Sequence, residues 1–154
     1  MNNIEKKVLE DVQFYVTTKY SCVYIDGRDA QSLVATPYKN VNTKNFNSLI
    51  SQGFRRSGQY VYKPSCKDCS ACIPIRLLAS SFTPSRSQKR VKKYLDKLSV
   101  KLLPLTFDEE HYNLYVSYQN IRHRTNDVNE DSLADYNNFL VKSNVNSKLV
   151  EFRL

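Results

Sequence analysis

The chain has 154 residues, and its 23 Lys and Arg against 15 Asp and Glu give a formal net charge of +8. At roughly 100–200 residues per domain this allows one ordinary domain, or one small domain with part of another, while 41% hydrophobic and 25% charged residues exclude wholesale disorder and low-complexity folds. Three glycines cannot build a phosphate-cradling GxGxxG or GxxxxGKT loop, no apolar run nears the roughly 18 residues of a membrane span, and the charges of MNNIEKKVLEDVQ fill the stretch a signal peptide keeps apolar, so a soluble, cytoplasmic protein without membrane contact is expected.

QFYVTT and CVYI have strand-like residues, separated by TKYS and followed by the Asp26-Gly27 turn dipeptide. From Asn42 to Ile50 the pattern predicts a short helix. Asn42 or Thr43 caps it, Phe46, Leu49 and Ile50 share a face, and Gly53 lies just past its end, where a left-handed residue is wanted. FRRSGQYVYKP predicts a hairpin turning at Ser57-Gly58, with Tyr60 and Tyr62 on one face of the return strand. The cysteine run PSCKDCSACIP follows, then IPIRLL, a strand in which Ile73, Ile75 and Leu77 alternate with Pro74 and Arg76.

SFTPSRSQKRVKKYLDKLSVKLLPL is the strongest charge feature. Ser85 with Gln88 has capping-box spacing, and Thr83 ahead of Pro84 is an alternative start. Val91, Leu95 and Leu98 form a narrow apolar stripe, while Arg86, Lys89, Arg90, Lys92, Lys93 and Lys97 face a single acid, Asp96. Such a helix either faces solvent or lies along phosphates, and its uncompensated repulsion favours a polyanion partner. After Pro104 the basic character ends. Thr106-Phe-Asp-Glu109 predicts a capped helix with Leu114, Tyr118 and Ile121 on one face, and Asp131, Ser132 and Asp135 open another carrying Leu133, Tyr136 and Leu140. KLVEFRL then predicts a strand with Val150, Phe152 and Leu154 on one side and no partner. The fold class is α+β: a small basic N-terminal α+β domain with a cysteine cluster over residues 1–103, then the incomplete beginning of a second domain over 104–154.

The four cysteines are Cys22, Cys66, Cys69 and Cys72. In a cytosolic chain this spacing argues for a metal site or regulatory thiols over a disulfide framework. Two intervening residues let a turn aim successive thiolates at one point, which a soft cation stabilises. Cys22 is the remaining thiol to complete a tetrahedral zinc shell or a four-iron cluster; the alternative is four reduced thiols without metal. The 11 Tyr and 7 Phe permit base stacking beside phosphate attraction, or else line cores and hairpins.

Together CVYIDGRDAQS, GFRRSGQYVYKPSCKDCSACIPIR and PSRSQKR resemble the N-terminal region of bacterial aspartate/glutamate leucyltransferases, relatives of arginyl-tRNA–protein transferases. YNLYVSYQNIRHRT and DYNNFLV…KLVEFR resemble the start of that family's acetyltransferase-like (GNAT-like) domain. The resemblance implies an aminoacyltransferase that moves leucine from leucyl-tRNA to the α-amino group of proteins beginning with Asp or Glu, marking them for degradation. It also implies that the chain stops where the second domain's sheet should begin. His123, in the matching IRHR, is the candidate proton acceptor or orienting group.

An acidic N-terminus is read by a forked cation, a task for Arg. Tyr24, Arg28, Arg55, Arg56 and Arg76 lie inside the matching motifs, and the expected pocket is organised by the four cysteines, with a bound iron–sulfur cluster or zinc. Arg86, Lys89, Arg90, Lys92 and Lys93 are the expected tRNA contacts. Two other readings stay open: a metal-organised module that binds tRNA or acidic protein termini without chemistry, and a redox- or iron-sensing regulatory domain.

Overall fold

The computed structural model describes residues 11–122 and 132–154. In chain order they form strands β1 (Gln13–Val16), β2 (Tyr20–Ser21), β3 (Asp29–Ala30) and β4 (Ser32–Thr36), helix α1 (Thr43–Ser51), and strands β5 (Arg55–Ser57) and β6 (Tyr60–Pro64). Helix α2 (Arg86–Leu95), strand β7 (Ser99–Leu103), helices α3 (Glu109–Arg122) and α4 (Ser132–Tyr136), a π-helical turn (Asn137–Val141) and strand β8 (Leu149–Arg153) follow. The chain divides into two units, one made of Met1–Cys72 with Leu105–Ser147, the other of Ile73–Pro104 with Lys148–Leu154. Among the described residues no helix is long and apolar enough to cross a membrane.

In the first unit β1, β4, β6 and β5 form an antiparallel sheet in that order. One face is apolar: Ala35 and Val61 pack with Val12, Val41, Leu49, Phe54 and Val145, flanked by Leu33 and Phe46. α1 supplies Leu49 to this core, and its entry has the expected chemistry. Asn42 Oδ1 accepts from the Lys44 and Asn45 amides at 3.0 and 3.2 Å, and Asn45 Oδ1 accepts from the Asn42 amide at 2.7 Å, so orphan donors of the first turn are satisfied reciprocally. Gly53, at φ +85°, ends it as expected. Ile50 does not join Leu49 but is exposed; Asn45, one turn before Leu49, takes the buried position instead.

The β5–β6 hairpin forms within one residue of the expected turn, with Gly58 at φ +59°, the conformation tight hairpins require. Gly58 is pressed against the Asn138 carbonyl, which joins the hairpin to the π-helical turn. The helices of this unit meet around Tyr136, whose ring lies 5.4–6.1 Å from those of Phe107, Tyr112 and Tyr115. α3 starts later than Thr106 implied, because Asp108 is the cap: its Oδ1 accepts from the His111 amide at 3.1 Å. The expected apolar face of α3, Leu114, Tyr118 and Ile121, is exposed. The expected opening residue of α4, Asp131, lies outside the described residues.

Two expected strands are not formed. CVYI is a bend leading into the Asp26-Gly27 turn, and IPIRLL is unpaired; Pro74 removes a ladder donor there, and strands exist only where a partner takes their amides. In the second unit the basic segment is a helix over Arg86–Leu95, with the expected Ser85/Gln88 capping box: Gln88 N donates to Ser85 Oγ at 3.3 Å and Ser85 N to Gln88 Oε1 at 2.8 Å. β8 is not partnerless. It pairs antiparallel with β7, from Ser99 opposite Arg153 to Leu103 opposite Leu149.

Candidate functional site

The loop from Cys22 to Arg28 is closed on itself. The Cys22 amide donates to the Arg28 carbonyl at 2.8 Å, and Gly27 at φ +70° turns the chain. This loop lies against the cysteine run: Arg28 Nη1 reaches the Asp68 carbonyl at 3.5 Å, Ser65 N donates to the Gln31 carbonyl at 2.8 Å, and Cys66 Sγ approaches the same oxygen at 3.7 Å. One long hydrogen bond occupies little of a five-donor guanidinium, so exposed Arg28 keeps a fork for a carboxylate. Tyr24, on the same loop, is exposed, and the neighbouring Asp29 is paired with Lys19 at 3.0 Å.

All four cysteines are free thiols; Cys22, Cys66 and Cys69 are half-buried and Cys72 is exposed. Among the described residues no three His, Cys, Asp or Glu side chains are grouped to hold a metal ion. The expected shell of Cys22, Cys66, Cys69 and Cys72 is therefore not drawn together. The Cys66 thiol turns to the Gln31 backbone carbonyl at 3.7 Å.

Of the other expected arginines, Arg55 and Arg56 lie on β5 and Arg76 on no strand or helix. Arg55, on β5, lies over the Tyr62 ring with its guanidinium carbon 5.3 Å from the centroid. Arg56 donates to the carbonyl of Gly58 at 2.6 Å and so holds its own hairpin. Arg76 belongs to the second unit, in the unpaired stretch before α2. His123 lies outside the described residues. On α2 the side chains of Arg86, Lys89, Arg90, Lys92 and Lys93 are all exposed.

One arrangement was not apparent from residue patterns. Register places Tyr15, Val34, Tyr62 and Arg55 in a single row across the four strands, on the face opposite Ala35 and Val61. The Tyr60/Tyr62 alternation hinted at it, but the pairing with β4 and β1 is what extends it across the sheet. Tyr38 packs on Tyr60 with ring centroids 4.7 Å apart; burial first, then the hydrogen bond and charge of Tyr60, push its hydroxyl above the usual tyrosine range.

Residues 20–90 match the family model described as arginine-tRNA-protein transferase, N terminus. The chain is similar to the aspartate/glutamate leucyltransferase of Methylobacillus flagellatus, with 49% identity over 94% of this chain and 58% of the relative. It is similar to that of Polynucleobacter necessarius at 44% identity, over 99% of this chain and 61% of the relative. The aspartate/glutamate leucyltransferase of Chromobacterium violaceum is 42% identical over 100% of this chain and 64% of the relative. The chain thus spans about three-fifths of the length of these relatives.

Proposed function

We propose, from the match of residues 20–90 to the family model described as arginine-tRNA-protein transferase, N terminus, that the chain serves an aminoacyl-tRNA–protein transferase. The reaction is transfer of leucine from leucyl-tRNA to the α-amino group of proteins beginning with Asp or Glu, which marks them for degradation. The observation that carries this reading is the similarity, over nearly the whole chain, to relatives named aspartate/glutamate leucyltransferase. The segment from residue 104 onward is read as the start of an acetyltransferase-like domain.

The chemistry asks for positioning more than for a strong catalyst. The aminoacyl ester is already activated, and an α-amine with a pKa of about 8 is partly neutral at cellular pH. The amine nitrogen attacks the leucyl carbonyl, a C–N bond forms, the ester C–O bond breaks, and the tRNA ribose hydroxyl leaves with a proton that the amine gives up. The oxyanion formed on the way needs hydrogen-bond donors. His123 is the proton acceptor offered by the family motif.

Acceptor selection is assigned to Arg28, with Tyr24 beside it on the loop that the cysteine run supports. Arg56 donates to the Gly58 carbonyl and Arg55 lies over the Tyr62 ring. α2 is assigned to the phosphates of tRNA. The Arg28→Glu variant should lose binding of an Asp-initiated peptide and keep tRNA affinity; equal loss of both refutes the assignment. Labelled leucine should pass from leucyl-tRNA to that peptide in a protein carrying the further length present in the relatives, and no transfer there refutes the reading. The four thiols invite a direct measurement: a broad visible band in anaerobically purified protein signals an iron–sulfur cluster, and a colourless stoichiometric metal signals zinc.

A further inference from the structure

The sheet face turned away from the core is used neither by the acceptor loop nor by α2. Tyr15, Val34, Tyr62 and Arg55 stand side by side across it, since alternate residues of a strand share a face. Tyr60 joins them from β6, about 7 Å along the strand from Tyr62. Tyr20 reaches the same face, its hydroxyl 2.7 Å from Ser32 Oγ. Tyr15 is 57%, Tyr60 54% and Tyr20 45% exposed, while Tyr62, beneath the Arg55 guanidinium, is half-buried. None of the four strands contains an Asp or Glu.

Three properties of this face select one ligand chemistry. Flat π-surfaces left in water accept another π-face at little ordering cost. A guanidinium stacked on Tyr62 extends the row and places a cation at its end. The four strands of the sheet add no carboxylate of their own to repel a phosphodiester. A peptide terminus would use the forked donors of Arg55, whereas bases use its plane and the adjoining rings.

We propose that this face is a stacking platform for unpaired nucleotides of RNA. The proposal rests on the reading that the chain meets tRNA, and it deepens it, because an aminoacyl-tRNA carries its amino acid on an unpaired 3′ end. The sheet then grips single-stranded bases, a task distinct from that of α2 on phosphates. Sequence preference is weak at such a surface, because every base has a π-face.

The test uses the 154-residue chain and two labelled RNA hairpins, identical except that one ends in a single-stranded 3′ ACCA overhang and the other is blunt, read by fluorescence anisotropy. The overhang hairpin binds more tightly, Tyr15→Ala and Tyr62→Ala each lose about 5- to 150-fold of that preference, and Tyr15→Phe and Tyr62→Phe keep it. Blunt-hairpin binding is unchanged in all four. Crosslinking of wild type to 4-thiouridine in the overhang, mapped by mass spectrometry, marks Tyr15, Tyr60 or Tyr62, and this holds even where an alanine variant fails to fold.

Equal affinity for the two hairpins, alanine variants that keep the preference, or crosslinks confined to other residues overturn the platform while leaving tRNA binding by α2 intact. Failure of the tRNA reading itself shows differently, as no binding of either hairpin, and overturns both. Binding of an Asp-initiated peptide that Tyr15→Ala abolishes, with RNA preference unchanged, assigns the face to the acceptor and overturns the proposal.

Discussion

Replacing Lys89 and Lys93 of α2 together by Gln distinguishes a phosphate-binding stripe from a solvated one. At 3.6 residues per turn, Arg86, Lys89, Arg90 and Lys93 fall within an arc of about 100°, with Lys92 off it and Val91 and Leu95 on the far side. The helix holds like charges at neighbouring positions: Arg86–Lys89, Lys89–Lys92, Lys89–Lys93 and Arg90–Lys93 all involve a replaced residue. Each such pair costs about 0.2–0.5 kcal/mol at low salt, so the double variant should be slightly more stable than wild type. Its RNA binding should move the other way. Four stripe cations on four phosphates give a slope of log affinity on log salt of about −3.6, or a weakening of about 150-fold between 50 and 200 mM salt. With two contacts left the slope is about −1.8 and the weakening about 12-fold. The assay is anisotropy of labelled tRNA across a KCl series, with Lys92→Gln as the off-stripe control. A wild-type slope in the double variant, or an equal drop in the control, refutes the stripe.

Three further outcomes follow from packing. Leu49→Ala empties the centre of the core, where Leu49 is fully buried, and should cost about 2–5 kcal/mol by urea titration; a loss below about 1 kcal/mol contradicts the assigned core. Gly58→Ala combines a positive φ with a Cβ driven into the Asn138 carbonyl, so its thermal destabilisation should exceed the roughly 1–2 kcal/mol of the left-handed conformation alone. Burial, and secondarily the charge of Asp108, raises the Tyr136 hydroxyl above its ordinary 10.0. The folded state thus favours the neutral phenol, a stabilisation intact below pH about 10 and lost as pH climbs through the folded-state value. Tyr136→Phe should flatten that alkaline fall, and an unchanged pH profile refutes it.

Local features of the fold were legible because they are written in adjacent residues. Asn42 and Gly53 bracket α1, Gly58 turns the hairpin, and Ser85 with Gln88 opens α2, each through bonds made within four residues. What depends on a distant partner was not legible. β4 is central to the main sheet, yet SLVAT shows no alternation, since its residues are at least half-buried on both faces. Its status comes from β1 and β6 on either side. The reverse holds for IPIRLL, where the alternation of Ile73, Ile75 and Leu77 has the strand period but no strand supplies a partner, and all three side chains stay exposed. β7 and β8 are a third case: SVKLL reads as the tail of a basic helix until LVEFR, some fifty residues on, pairs with it.

The site follows the same rule. Arg28 and the cysteine run lie in separate motifs forty residues apart, and the fold places them together. Arg55, equally prominent in sequence, is placed by cross-strand register and ends up on Tyr62. Composition could not say whether the tyrosines fill a core or cover a surface, and the alternation of Tyr60 and Tyr62 states only that they share a side. Val61 decides which side. It lies between them and is 1% exposed, and a residue and its strand neighbours cannot face the same way. With Val61 in the core, Tyr60 and Tyr62 must face outward, and pairing through Val34 brings Tyr15 into line with them. A single buried valine thereby turns an excess of tyrosine into a surface with a direction, and it is this direction that the proposed contact with unpaired nucleotides depends on.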